Sequence, residues 1–149
     1  MKLKTGTWVL VADGGHGIIF ENDGTAIAPR LKILRDYDEP QARSSELSED
    51  KLSHGGAANA GPRTSHEAPD PHQAREDLFI AQIAHDLGQA AANKAFTEII
   101  VVASPIALGN FRKAAGSDLT SRVILWIDKD LTKHSVPDIT EAIMRALES

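Results

Sequence analysis

The tightest limit on what this chain can fold into is set by Glu98-Ile99-Ile100-Val101-Val102-Ala103, an unbroken run dominated by β-branched residues. Such a run has no wet face, so it reads as a strand covered on both sides, the pattern of a central strand in a parallel arrangement. A second strand follows from Arg122 to Asp128, carrying Val123-Ile124-Leu125-Trp126-Ile127. Between them, Ser104-Pro105 marks a helix start, with serine as cap and proline at the first helical position. That helix runs through Leu108, Phe111 and Arg112 to Gly116, read as a left-handed C-cap, and Gly109 is expected to permit close packing. A last helix begins near Ser135-Val136-Pro137-Asp138, a capping-box pattern, with Val136, Ile139, Ile143, Ala146 and Leu147 as its apolar stripe.

The N-terminal quarter has a different rhythm. Thr7 to Asp13 is rich in β-formers and stops at Asp13-Gly14-Gly15, a turn signal, after which Gly17 to Glu21 reads as a second strand. Asn22-Asp23-Gly24-Thr25 contains the Asp-Gly pair of a tight hairpin. The third strand spans Leu31 to Asp36, with Leu31 and Ile33 on one face, Lys32 and Asp36 on the other, and Leu34 breaking the alternation. Gly14-Gly15-His16-Gly17 leads into a strand rather than a helix, so it is a turn and not a dinucleotide fingerprint.

From residue 37 to 69 apolar residues are sparse and Gly55-Gly56 and Gly61-Pro62 break any regular element, so this stretch is a long polar loop. Loops of this length inside a compact domain are uncommon and tend to carry function or disorder. Helix formation resumes at Asp70-Pro71-His72-Gln73, where Asp70 can cap and Gln73 can complete a capping box. Ile80, Ile83, Ala84, Leu87 and Ala91 then form a buried stripe, with Gln82, Asp86, Gln89 and Asn93 on the wet side. The order β-β-β-loop-α-β-α-β-α predicts a single three-layer α/β domain over residues 1–149, with a mixed five-stranded sheet and the first strand beside the fourth. Ribonuclease-H-like folds share that order.

Composition removes several function classes. The chain has no cysteine, which excludes disulfides, thiolate metal sites and a cysteine nucleophile. Its net charge is -5, and eight acidic against four basic residues between Tyr37 and Glu76 account for most of it. That segment repels phosphate backbones, so no duplex DNA partner is expected. The apolar runs are too short to span a bilayer and the N-terminus lacks a signal-peptide pattern, so a cytoplasmic protein is expected.

Several segments in order resemble the bacterial host attachment protein family, proteins required for attachment to host cells. They are Trp8 to Gly14, Asp70-Pro71-His72, Val101 to Pro105 with Leu108-Gly109 and Phe111-Arg112, and Asp128-Lys129-Asp130-Leu131-Thr132. The resemblance implies distant kinship with the middle domain of eukaryotic and archaeal peptide chain release factors. In those proteins a Gly-Gly-Gln tip, on a loop before a long helix, promotes peptidyl-tRNA hydrolysis on the ribosome. Here the corresponding loop offers His54-Gly55-Gly56-Ala57, without the glutamine, in acidic surroundings. The Arg-Pro-Gly-Arg-like stretch common in the attachment family is replaced by Ser48-Glu49-Asp50-Lys51-Leu52.

Ligands in open α/β sheets bind beyond the carboxyl ends of parallel strands, here Asp13, Ser104 and Asp128. Asp13, Gly14, Ser104, Asp128, Lys129 and Asp130 are therefore the candidate binding residues, with two carboxylates expected to flank the second helix and its free amides able to meet an anion. His54, Gly55 and Gly56 are the candidate loop tip. A ribonuclease-H-like nuclease would hold divalent metals with Asp13, Asp128 and Asp130 or Glu76, yet aspartate also ends strands for local hydrogen-bonding reasons. His54, His66 and His72 share the loop with carboxylates but lack the short spacing of zinc motifs. Trp8 and Trp126 are expected to pack against the sheet, and Lys129 to His134 reads as a solvated connection. No catalytic residue, metal or cofactor is assigned. The expectation is an interaction protein of the host attachment type, with a protein or ribosomal partner; the alternatives are a release-factor-like ribosome-associated protein and a metal-dependent nuclease.

Overall fold

A computed structural model describes residues 1–38 and 71–149. The expected loop tip His54, Gly55 and Gly56, the loop histidine His66 and the capping residue Asp70 lie outside the described residues. Five strands form one sheet: β1 (Trp8–Ala12), β2 (His16–Asn22), β3 (Leu31–Asp38), β4 (Ile99–Ala103) and β5 (Val123–Asp128). The helices are α1 (Pro71–Ala92), α2 (Pro105–Ala114), the short α3 (Ser117–Thr120) and α4 (Val136–Glu148). Strand order is β3-β2-β1-β4-β5, with β1, β4 and β5 parallel and the β1-β2-β3 meander antiparallel. The expected mixed sheet, with β1 beside β4, is what forms.

Every residue of β4 is buried, as its unbroken apolar run requires. Alternation along β1 and β4 sends Leu10, Ala12, Val101 and Ala103 to one face and Val9, Val11, Ile100 and Val102 to the other. The first face is covered by Ile80, Ile83 and Leu87 of α1 and Phe111 of α2, and the second by Ile139 and Ile143 of α4. Burying each such aliphatic side chain contributes about 1.5–3 kcal/mol, which fixes these helices on the sheet. Ser135 caps α4, its Oγ accepting from the Asp138 amide at 3.2 Å.

Several local expectations are corrected. The connection after β2 is not a tight hairpin but a loop over residues 23–30 organised by Asn22, whose side chain is fully buried. Its Nδ2 donates to the carbonyls of Leu3, Lys4 and Thr25, and its Oδ1 accepts from the amides of Gly24 and Arg30, both at 2.9 Å. Asn-Asp-Gly was therefore a hub as well as a turn signal. Gly24 is needed because a Cβ there would strike the Ala28 carbonyl.

β3 lies at the sheet edge and extends to Asp38; Ile33 stays 53% exposed, while Leu31 and Tyr37 are buried. Ile19 pairs with Arg35 and Phe20 with Ile33, so Leu34 is the extra residue of a bulge, which explains the broken alternation. The other edge carries one as well, since Ile99 pairs with Val123 and Ile100 with Leu125. Bulges on both outer strands hinder edge-to-edge pairing with another chain.

Gly116 is not a left-handed cap: α2 closes in extended backbone at Ala115, and Gly116, at φ -83°, opens α3. A Cβ on Gly109 would meet open space, so close packing does not account for that glycine. Ser104 occupies the cap position of α2 without a side-chain capping hydrogen bond. Gln73 reaches forward to Asp77 at 2.9 Å. Asp86, expected on the wet side, is drawn to β3 instead: Tyr37 donates its hydroxyl to Asp86 at 2.7 Å and Arg35 lies 3.5 Å from the same carboxylate.

Candidate functional site

The turn between β1 and β2 gathers several of the polar residues at the sheet's carboxyl end. It is tight because the Asp13 amide donates to the His16 carbonyl at 2.9 Å, while Asp13 Oδ1 accepts from the amides of Gly15 at 2.9 Å and His16 at 2.8 Å. An aspartate that ends a strand and closes the next turn is the local role anticipated for that residue type. Its second oxygen has a tertiary role. Thr132 Oγ1, in the connection between β5 and α4, donates to Asp13 Oδ2 at 2.9 Å and also lies 2.8 Å from Asp130 Oδ1. One hydroxyl thus stands between two carboxylates, Asp130 of its own connection and Asp13 of the β1–β2 turn.

His16 and Gly14 extend the same centre in other directions. The His16 ring places Nδ1 3.2 Å from Asp38 Oδ1 and Nε2 3.3 Å from Asp36 Oδ1, fastening the last residues of β3. Glu76 of α1 packs its carboxylate against Gly14, where a Cβ would approach it within 2.9 Å, and pairs with His72 at 2.9 Å. Only a glycine leaves that room without displacing the glutamate. The ends of β3 and the start of α1, which bracket residues 39–70, are therefore both anchored to one turn.

A second fastening lies along α1. Tyr37 packs edge-on against Phe79 at 6.5 Å between ring centroids, and the Arg35 guanidinium lies over the Tyr37 ring at 4.6 Å. Burial, then the hydrogen bond from its hydroxyl to Asp86 and the charge of that carboxylate, push the Tyr37 hydroxyl well above the ordinary phenol range, with Arg35 opposing.

The structure separates some residues that sequence position had grouped. Ala12, Ala103 and Asp128 share one level of the sheet, so Asp128 lies on the face of Ala12 and Asp13 on the opposite one. The two carboxylates therefore do not jointly flank α2; Asp13 is turned to Thr132, while Asp128 and Lys129 are exposed. Ser104 follows β4 with its amide donating to the Ala12 carbonyl at 3.2 Å. Among the described residues, no three His, Asp or Glu side chains converge as ligands for one metal ion.

Thr132 is the connector that sequence reasoning missed, since Lys129 to His134 was read as solvated. The available signal was Asp130-Leu131-Thr132, in which the buried Leu131 anchors the loop and the flanking polar pair closes it. Trp126 also behaves differently from a plain core residue: it packs edge-on against Phe111 at 6.1 Å and carries the Arg112 guanidinium over its ring at 4.6 Å.

Residues 6–143 match bacterial archaeo-eukaryotic release factor family 12. The chain belongs to that family. The match covers all five strands, so the release-factor relationship extends through the sheet and its carboxyl-end turn rather than a local motif. No curated protein matches the chain. Among the described residues, no helix of this release-factor-family domain is long and apolar enough to cross a membrane.

Proposed function

We propose that this release-factor-family domain is a binding module for the translation apparatus, a ribosomal or ribosome-bound partner, and that it does not itself hydrolyse peptidyl-tRNA. The observation that carries the reading is the family match over residues 6–143 in a chain whose sequence contains no Gly-Gly-Gln, its loop reading Gly55-Gly56-Ala57. The carboxyl-end turn supports it. His16 and Glu76 are spent on fastening the elements that bracket residues 39–70, and Asp13 and Asp130 on tying the same turn to the β5–α4 connection, which suits a scaffold. Asp128, Lys129 and the α2 end at Ser104 are among the exposed or half-exposed groups at this end able to meet a partner.

The resemblance to host attachment proteins fits the same proposal. An attachment phenotype would arise indirectly, through cytoplasmic translation of surface components. The test is co-sedimentation of the whole chain with ribosomes, beside a variant lacking residues 45–66, together with a peptidyl-tRNA hydrolysis assay. Co-sedimentation of the whole chain that the deletion abolishes, without hydrolysis, is expected. A chain that stays in the supernatant at low salt, or one that releases the peptide, overturns the reading.

A further inference from the structure

Beside α4, on the sheet face it covers, the structure leaves an apolar groove that the proposed ribosomal role does not use. One part, about 460 Å³, runs between the 23–30 loop with Leu31 and the α4 residues Val136 to Met144. A second, about 150 Å³, continues between Lys2 and Leu3 on one side and Met144 to Glu148 on the other. Ile27 and Met144 line both parts, so they mark the middle of one groove. Ile27 is 94% exposed, an apolar knob standing beside an apolar hole.

The charges on the rim are sorted by wall. Arg30 and Lys2 stand on the loop and N-terminal wall; Glu141 and Glu148 stand on the α4 wall. Along the groove the order is Arg30, Ile27, Lys2 on one side and Glu141, Met144, Glu148 on the other. A two-fold axis running along the groove exchanges the walls while keeping position along it. Each basic wall then meets an acidic one and each Ile27 meets a Met144, whereas an axis across the groove would set like charges together. Arg30 and Glu141 already touch Asp23 and Arg145, both at 2.7 Å, but these are exposed pairs that contribute little and can exchange partners.

From this we infer that the groove is an isologous interface with a second copy of this chain. The contacts are Arg30 to Glu141, Ile27 to Met144 and Lys2 to Glu148, each made twice, with the two α4 helices parallel. Both edge strands carry bulges, which disfavour association by strand pairing and leave this face as a route for it.

Sedimentation velocity of the whole chain over a micromolar concentration series tests the inference. Wild type is expected to shift from monomer to dimer. Ile27→Asp, at a side chain too exposed to affect folding, should weaken the dimer about thirtyfold or more, with an unchanged circular dichroism spectrum. Glu148→Lys should weaken it a few-fold, and adding Lys2→Glu should restore it, a rescue that a purely structural role would not give. A wild type that stays monomeric throughout the series, or a dimer indifferent to both Ile27→Asp and the charge exchange, overturns it. A monomeric wild type whose Ile27→Asp variant loses ribosome binding would assign the groove to a different partner and equally overturn self-association.

Discussion

Around the turn between β1 and β2, Asp13, His16 and Glu76 each reach a partner in the same chain, whereas around Ile27 the floor is apolar and the charges stand on the rim. Both regions sit on the same sheet and are built from connections between its elements. They differ in where the polar atoms go. At the carboxyl end, polar side chains tie loops together and their chemistry is used up in doing so. Beside α4, the polar work is done underneath by Asn22, and apolar surface is left on top. The contrast teaches that a cluster of titratable residues at the expected end of an α/β sheet can be scaffold, while the surface fitted for a partner can carry no reactive group at all.

Breaking the groove's support should cost the most. Asn22→Ala leaves the amides of Gly24 and Arg30 and three carbonyls without their shared partner, and unfolding in urea should show a loss of about 3 kcal/mol. The carboxyl-end turn should be more forgiving, because water can reach it. Thr132→Val removes the one donor between Asp13 and Asp130 and should cost about 1–2 kcal/mol in the same measurement, with faster amide exchange in residues 129–134.

Tyr37→Phe removes the hydroxyl from Asp86 and should cost about 1 kcal/mol at neutral pH. It also gives a pH signature. The folded protein holds the Tyr37 proton more tightly than the unfolded chain, so this contribution is complete below the ordinary phenol value and is lost as pH climbs beyond about 10. Thermal melts through that alkaline window should fall more steeply for wild type than for Tyr37→Phe; parallel curves would mean that the hydroxyl is not held as described. Smallest of all, Ile27→Ser should change stability by less than about 0.5 kcal/mol, since the side chain is exposed. A larger loss would show that the knob packs within its own chain and would erase the distinction between the two regions.

Much of the scaffold was legible because it depends on periodicity. The unbroken run in β4, the stripe of α1 and the Ser-Val-Pro-Asp start of α4 each give a local instruction that burial then obeys. Leu34 was legible as an irregularity, though its cause, a bulge against Ile19 and Phe20, needed the neighbouring strand. Asp13 and Asp128 both fall at strand ends as expected, yet they lie on opposite faces, because side-chain direction at a strand's end depends on register with the partner strand.

The sequence by itself determined the five strands and the three longer helices, that β4 is interior, and that cysteine chemistry is absent, since these follow from residue type and local spacing; the short α3 was not among them. Only the tertiary structure decided that Asn22 is a hub, that Thr132 joins Asp13 to Asp130, and that Lys2 and Arg30 stand across a groove from Glu141 and Glu148. The physical reason is distance along the chain: Asp13 and Thr132, like Lys2 and Glu148, are far apart in sequence, and no local pattern encodes a contact that forms only when the sheet and its helices close.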